Sequence, residues 1–203
     1  PADGITNMQK QFGFGSKTPL QFPGEGSGLV VTPKEKETSR RATVSYGYGL
    51  QVTLAQVAQA YSALAAGGVM HPLTLIKDDK PQPSKRIMAH EQAMSIVQMM
   101  ESVTEPGGTA KGAAIDGYRV AGKTGTSRRI NPKGGYYTDQ YRNVFAGMAP
   151  ASNPKLVGVM LIEDPRAQIY AGLTVAPVFH NVMKEALRLY NVPLDKPLKT
   201  EDQ

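Results

Sequence analysis

The residues whose types and spacing best suit chemistry are the four consecutive residues Lys123-Thr124-Gly125-Thr126. If they lie on a strand, Lys123 points to one side as a fixed cation while Thr124 and Thr126 point to the other. Two hydroxyls in one line suit the binding of a carboxylate. Gly125 has no side chain, so an extended substrate can lie against the strand, and the Thr126 amide is placed to donate to an oxyanion.

The elements that must position this tetrapeptide are predicted to be mostly β-structure. The period of the pattern predicts a strand over about residues 117–127. A loop from Asn131 to Tyr141 then leads to a second strand over 143–148 and a third over 156–163. A helix over about 175–190 follows, with Val178, Val182, Leu187 and Leu189 on its mostly buried side. The sequence therefore predicts an α+β fold, in which an antiparallel meander packs against a C-terminal helix.

The first half of the sequence is predicted to be irregular and then helical. Residues 1–40 are rich in Gly and Pro and are interpreted as connections. Thr53 is a good N-cap for a helix that ends near Ala66, and a second helix is predicted over about 90–103. The predicted divisions are a mostly helical lobe with connections (1–116), the meander with its helix (117–192) and a frayed tail (193–203).

Composition excludes several classes of function. The 203 residues include no cysteine, which rules out a disulfide framework, a thiol nucleophile and thiolate metal sites. His71, His90 and His180 are too far apart in sequence to suggest a metal site, so neither a metal nor a cofactor is expected. The net charge of +6 is spread along the chain rather than forming a basic stripe, so nucleic acid is not an expected partner. Arg128 and Arg129 are better explained by a local anion site.

Five segments resemble, in the same order, the C-terminal part of the transpeptidase domain of class B penicillin-binding proteins. Within that family, the resemblance is closest to the septal cell-division transpeptidases (the penicillin-binding protein 3 group) of Gram-negative bacteria. The matching segments are Thr43–Leu50, Gln51–Tyr61, Gly117–Thr126, Phe145–Ala151 and Tyr170–Gly172. The resemblance implies the penicilloyl-serine transferase (β-lactamase-like) fold, incomplete in this chain.

The resemblance also implies roles for individual residues. Lys123 and Thr126 correspond to catalytic positions, the lysine in the proton network around the nucleophile and Thr126 as an oxyanion donor. Thr124, Gly125 and Thr126 correspond to the substrate-binding strand, where the two hydroxyls bind the carboxylate of the substrate or of a β-lactam. Tyr136 and Tyr137 fall in a loop that borders the cleft in this family.

The sequence departs from the family pattern at the nucleophile. The family requires a Ser-x-x-Lys serine that opens a buried helix, and a Ser-x-Asn triplet. The only Ser-x-x-Lys here begins at Ser152, in a Pro-containing turn after the motif strand, and no Ser-x-Asn occurs. Ser152 is therefore interpreted as a turn residue. The chain alone is expected to be inactive, with its nucleophile on a companion N-terminal segment of the same protein.

The expected activity of the intact protein is D,D-transpeptidation of peptidoglycan stem peptides in septal wall synthesis, through an acyl-serine that β-lactams also form. The expected location is the periplasmic face of the inner membrane, with an N-terminal anchor outside this sequence and division-complex proteins as partners. Two alternatives remain open. One is a non-catalytic scaffold of cell-wall assembly, and the other is a related β-lactam-reactive serine hydrolase such as a sensor domain or β-lactamase.

Overall fold

The computed structural model describes residues 3–77, 80 and 82–197. The chain divides into two compact units, Pro1–Ala89 and His90–Gln203. The helices are α1 (Gly4–Gln11), α2 (Thr38–Val44), α3 (Leu54–Ala65), α4 (His90–Met100), α5 (Ala171–Thr174) and α6 (Ala176–Leu189). The strands are β1 (Val69–Met70), β2 (Lys85–Arg86), β3 (Ala121–Ile130), β4 (Tyr136–Ala149) and β5 (Leu156–Glu163). Within the described ranges, no helix has the length and apolarity needed to span a membrane.

The first unit is organised by the N-terminus of α3. Thr53 Oγ1 accepts a hydrogen bond from the Gln56 amide at 3.1 Å, while Gln56 Oε1 accepts one from the Thr53 amide at 2.9 Å. This capping box satisfies two amides that a helix start leaves unpaired. The buried Gln56 also donates from Nε2 to the carbonyl oxygens of Ser16 and Ser27, at 2.6 and 2.8 Å. The predicted cap and helix are therefore confirmed, and one side chain ties distant loop segments to them.

The prediction that residues 1–40 are irregular is wrong at both ends of that range. Residues 4–11 form α1 and residues 38–44 form α2. The start of α1 is supported by a 2.8 Å hydrogen bond from Asn7 Nδ2 to Asp3 Oδ2, and Thr6 is buried against Thr32 with 3.0 Å between their Oγ1 atoms. The segment between the two helices is rich in Gly and Pro and dominates the average composition of residues 1–40, so that composition does not indicate the helices at either end.

The second unit contains an antiparallel sheet with strand order β3-β4-β5, which confirms the predicted α+β meander. The third strand matches its predicted bounds, but the first two do not. β3 covers 121–130 rather than 117–127, and β4 begins at Tyr136, inside the predicted loop. A tight turn closes this hairpin, with the Asn131 amide donating to the Gly135 carbonyl at 3.0 Å. Gly134 and Gly135 both have positive φ, which allows the turn to be short.

The predicted C-terminal helix is confirmed as α6, with Pro177 in its first turn. The buried residues of α6 are Ala176, Phe179, Met183 and Leu187, and the ring of Phe179 packs edge-to-face on Phe145 of β4 at 4.7 Å. Of the four residues predicted on the buried side, Leu187 is buried, whereas the prediction is wrong for Val178, Val182 and Leu189, which are exposed. Phe179 and Met183, one position further along the helix, belong to an equally regular apolar stripe. This stripe is the one that packs against the sheet, because Phe179 contacts Phe145.

The segment after α6 returns to the residues that lead into β3. The Asp195 and Lys196 amides both donate to the Gly117 carbonyl at 3.1 Å. Asp195 Oδ1 accepts from the Arg119 amide at 2.7 Å, and Oδ2 accepts from the Ser152 hydroxyl at 2.7 Å. The prediction of a frayed tail is therefore wrong at these residues, because backbone and carboxylate acceptors far away in sequence hold them. Residues 198–203 lie outside the described part.

Arg119 links this junction to the end of the α4 segment. Its guanidinium forms a two-pronged ion pair with Glu101, with N–O distances of 2.7 and 2.8 Å. The hydrogen bonds to Glu101, followed by the attraction of that carboxylate, raise the pKa of Arg119. Its carbonyl accepts from the Ala151 amide at 2.8 Å. The start of the motif strand is thus fixed to three other segments of the second unit.

Candidate functional site

The Lys123–Thr126 motif lies on β3, one of the two edge strands of the three-stranded sheet. Across the ladder Lys123 faces Ala146, whereas Thr124 faces Phe145 and Thr126 faces Asn143. Cross-strand partners share a face, so Lys123 is on one face of the sheet and the two threonines are on the other. Among the described strands, only β4 pairs with β3, so the edge of β3 that faces away from β4 has no strand partner. Gly125 on this strand is exposed. This geometry agrees with the alternation expected from the sequence.

Lys123 lies beside a cavity of about 590 Å³ formed by α4 and the residues that follow it. Its side chain is exposed, and its Nζ donates to the Thr124 carbonyl at 2.9 Å. The other lining residues are Ile96, Met99, Met100, Ser102, Val103, Glu105, Pro106, Gly107, Gly108, Thr109 and Gly122. The site therefore offers a cation at the border of a cavity with a largely apolar wall on α4.

The two threonine hydroxyls are held by groups that the sequence analysis did not identify. Thr124 Oγ1 is 2.9 Å from Thr109 Oγ1, and Thr126 Oγ1 accepts from the Ala171 amide at 3.1 Å. Next to Ala171, Gly172 lies against the Thr109 carbonyl. A Cβ atom at this glycine would be 3.0 Å from the carbonyl carbon and closer still to the oxygen. Thr109, β3 and α5 therefore form one tightly packed cluster around the hydroxyls.

Asn143 anchors α5 from the neighbouring strand. It is fully buried, and its Nδ2 donates to Thr174 Oγ1 at 2.8 Å, while Thr174 in turn donates to the Tyr170 carbonyl at 3.2 Å. Within the described part of the chain, Asn143 Oδ1 has no hydrogen-bond partner. An amide at the start of the apolar run 144–149 is the sequence signal that could have revealed this position, because a buried amide needs a partner.

Tyr136 and Tyr137 are located at the far end of the β3–β4 hairpin. Tyr136 pairs with Ile130 and is exposed, while Tyr137 is half-buried. Ile130 is seven residues from Lys123, which corresponds to about 23 Å along an extended strand. The structure therefore brings Lys123, Thr124, Gly125 and Thr126 together and leaves both tyrosines at a distance from them along the strand.

The other polar residues considered from the sequence make hydrogen bonds that support the fold. Ser152 lies in the turn between β4 and β5 and donates its hydroxyl to Asp195, which agrees with its interpretation as a turn residue. His180 Nδ1 is 2.5 Å from the Ala114 carbonyl oxygen. Among the described residues, no three His, Asp or Glu side chains are grouped so that they could hold a metal ion.

Known proteins resemble this chain over most of its length. A family model described as the penicillin-binding protein transpeptidase domain matches residues 1–184. The peptidoglycan D,D-transpeptidase FtsI of Escherichia coli is 40% identical over 196 residues, which cover 96% of this chain and 33% of that protein. The probable peptidoglycan D,D-transpeptidase PenA of Neisseria gonorrhoeae is 36% identical over 198 residues, with coverages of 97% and 34%. The chain thus spans about a third of the length of these relatives.

Solved structures give the same result for the fold. The transpeptidase domain of penicillin-binding protein 3 from Burkholderia pseudomallei matches with a TM-score of 0.85 at 38% identity, covering 95% of this chain and 59% of that one. Penicillin-binding protein 3 from Mycobacterium tuberculosis in complex with ampicillin matches with a TM-score of 0.85 at 32% identity, with coverages of 98% and 49%.

Proposed function

Since the chain belongs to the penicillin-binding protein transpeptidase family, we propose that it supplies one wall of the active site of a serine-type peptidoglycan D,D-transpeptidase. The observation that carries the proposal is the exposed edge strand β3, which places the Lys123 cation beside a cavity and two ordered hydroxyls on the opposite face. In this proposal the nucleophilic serine and its lysine lie outside the present sequence, and the chain alone is inactive.

The proposed reaction is acyl transfer through a serine ester. The serine hydroxyl attacks the carbonyl carbon of a stem peptide, the tetrahedral intermediate expels the terminal D-alanine, and an amine of a second stem peptide then takes the acyl group. The Thr126 amide donates to the developing oxyanion, and the Lys123 cation favours negative charge nearby. The hydroxyls of Thr124 and Thr126 bind the carboxylate of the D-alanine, while Gly125 leaves room for the peptide backbone.

The same site would react with β-lactams. A β-lactam presents the serine with a strained lactam carbonyl as the acyl group, and it carries a carboxylate equivalent to that of the D-alanine. Tyr136 and Tyr137 are proposed to contact the parts of a substrate that extend beyond the motif along the hairpin. We place the protein in septal wall synthesis at the periplasmic face of the inner membrane, with division-complex proteins as partners. The support for this assignment is the likeness to FtsI.

A companion segment is a further part of the proposal. Apolar side chains of the second unit remain exposed, namely Met99 on α4 at 66%, Leu161 on β5 at 36%, and Val178 and Val182 on α6 at 40% and 51%. Exposed apolar side chains of this kind favour association with another segment. We propose that the upstream part of the same protein, which carries the serine, supplies that segment.

The test is labelling of the intact gene product with a fluorescent penicillin, followed by limited proteolysis and a denaturing gel. We expect the label on a fragment upstream of residue 1, and we expect Lys123→Ala to reduce the rate of labelling by at least tenfold. The matched control is Ser152→Ala, which removes the serine of the literal Ser-x-x-Lys and should label like the wild type. Label at Ser152, or an intact protein that takes no label, would refute the proposal, and the latter result would favour a non-catalytic scaffold.

A further inference from the structure

The hydroxyl of Thr126 accepts a hydrogen bond from a backbone amide. The Ala171 N–H donates to Thr126 Oγ1 at 3.1 Å, and an amide N–H has no acceptor capacity, so this bond has one possible direction. One lone pair of the hydroxyl is therefore occupied, and the hydroxyl proton is left to point towards another acceptor. Thr126 is accordingly held as a hydrogen-bond donor.

The hydroxyl of Thr124 is different, because its neighbour is another hydroxyl. Thr109 Oγ1 lies 2.9 Å away, and either oxygen can donate to the other. An anion next to Thr124 removes this ambiguity, since an anion only accepts. Thr124 must then donate to the anion, and Thr109 must donate to Thr124. Hydrogen bonds in such a chain polarise one another, so the Thr109 hydroxyl strengthens the bond that Thr124 makes to the anion.

The position of Thr109 is fixed from two sides. Its carbonyl packs against Gly172, where even a Cβ atom has no room, and the adjacent Ala110 is fully buried with its amide donating to the Val103 carbonyl at 2.9 Å. Thr109 also lines the cavity beside Lys123. The backbone that carries this hydroxyl is therefore fixed before any ligand arrives, which reduces the entropy lost when the hydrogen-bond chain forms.

We propose that Thr109 is a positioning residue for carboxylate recognition, acting through Thr124 on the terminal carboxylate of the stem peptide or of a β-lactam. The inference rests on the proposed function, because it requires that β3 binds a carboxylate. It assigns Thr109 to affinity for the anion rather than to the acylation step. A residue that only supported the loop would instead affect folding, or affect charged and uncharged ligands equally.

The experiment compares an acid with its ester on the intact gene product. Acylation by benzylpenicillin and by its methyl ester is followed by intact-mass spectrometry over a range of concentrations, which separates the dissociation constant from the acylation rate constant. For Thr109→Val, which keeps the side-chain shape but loses the hydroxyl, we expect the dissociation constant of the acid to rise about fivefold, the scale of one neutral hydrogen bond. The ester should change less than twofold, and the acylation rate constant should stay the same.

Two further variants serve as controls. Thr109→Ser keeps the hydroxyl and should restore the preference for the acid. Ser95→Ala removes a hydroxyl on α4 that donates to the Glu91 carbonyl at 2.7 Å and lies outside the residues that line the cavity, and it should behave like the wild type. The inference is overturned if Thr109→Val weakens acid and ester equally, or if its acid preference matches that of the wild type. A wild-type protein that neither compound acylates would refute the proposed function, and this inference with it.

Discussion

Replacing Gly172 with alanine changes the stability of the folded protein through two effects of opposite sign. Gly172 is the second residue of α5 and does not have positive φ, so its backbone is compatible with alanine. Helix propensity alone would make Gly172→Ala stabilising by up to about 1 kcal/mol. Packing predicts the reverse, because the added Cβ would overlap the Thr109 carbonyl, which is backbone and cannot rotate away.

The expected size follows from what would have to move. The carbonyl of Thr109 is held by its neighbours, since the Ala110 amide bonds to Val103 and the Thr109 hydroxyl bonds to Thr124. Overpacking typically costs about 1–3 kcal/mol, and a clash with fixed backbone belongs at the upper end of that range. After the propensity gain is subtracted, we expect a net destabilisation of about 2 kcal/mol. A cooperative unit of 203 residues would lose about 4–8 °C in melting temperature, and the larger intact protein correspondingly less.

The assay is thermal unfolding of the intact gene product, with Gly26→Ala as the matched control. Gly26 has no heavy atom within 4 Å of an added Cβ and no positive φ, so alanine there should change the stability by less than about 0.5 kcal/mol. A Gly172→Ala protein that melts at or above the wild-type temperature would show that the contact with Thr109 is not tight. That result would also remove one of the two constraints that fix Thr109.

Two other measurements test the packing and the electrostatics. Phe179→Ala removes a fully buried ring that packs on Phe145, so we expect a loss of about 3–5 kcal/mol in urea unfolding with an unchanged m-value, and a loss below about 1 kcal/mol would contradict the assigned core. Burial raises the pKa of Tyr61 from 10.0 to about 12. Since the folded state favours the neutral phenol, its stability should fall as the pH rises from 10 towards 12, and Tyr61→Phe should reduce that slope. Equal slopes for the two proteins would contradict the burial of the hydroxyl.

Local patterns in the sequence predicted most of the individual elements. The capping box at Thr53 depends on residues three positions apart, and the third strand is a continuous apolar run, so both could be recognised without tertiary information. The side of α6 that is buried could not be predicted in the same way. Two apolar stripes fit the helical period, and only packing against Phe145 distinguishes the stripe of Phe179 from that of Val182.

The candidate site was predictable as far as the motif strand itself. Alternation along β3 gave the opposite directions of Lys123 and the two threonines, which the cross-strand register supports. The groups that orient those hydroxyls were not predictable, because Thr109 and Ala171 lie 15 and 45 positions away in sequence from their partners. Hydrogen bonds over such separations depend on the fold and leave no local pattern.

The hydrogen bonds of Asp195 have a consequence for how the segment after α6 tolerates alteration. A nonsense codon at position 195 would delete a carboxylate that bridges the Arg119 amide, just before the motif strand, and the Ser152 turn. The lesion would lie outside the sheet and α6, yet it would loosen the beginning of the strand that carries Lys123. For the same reason, a short deletion that removes Asp195 would reduce the lifetime of the folded protein.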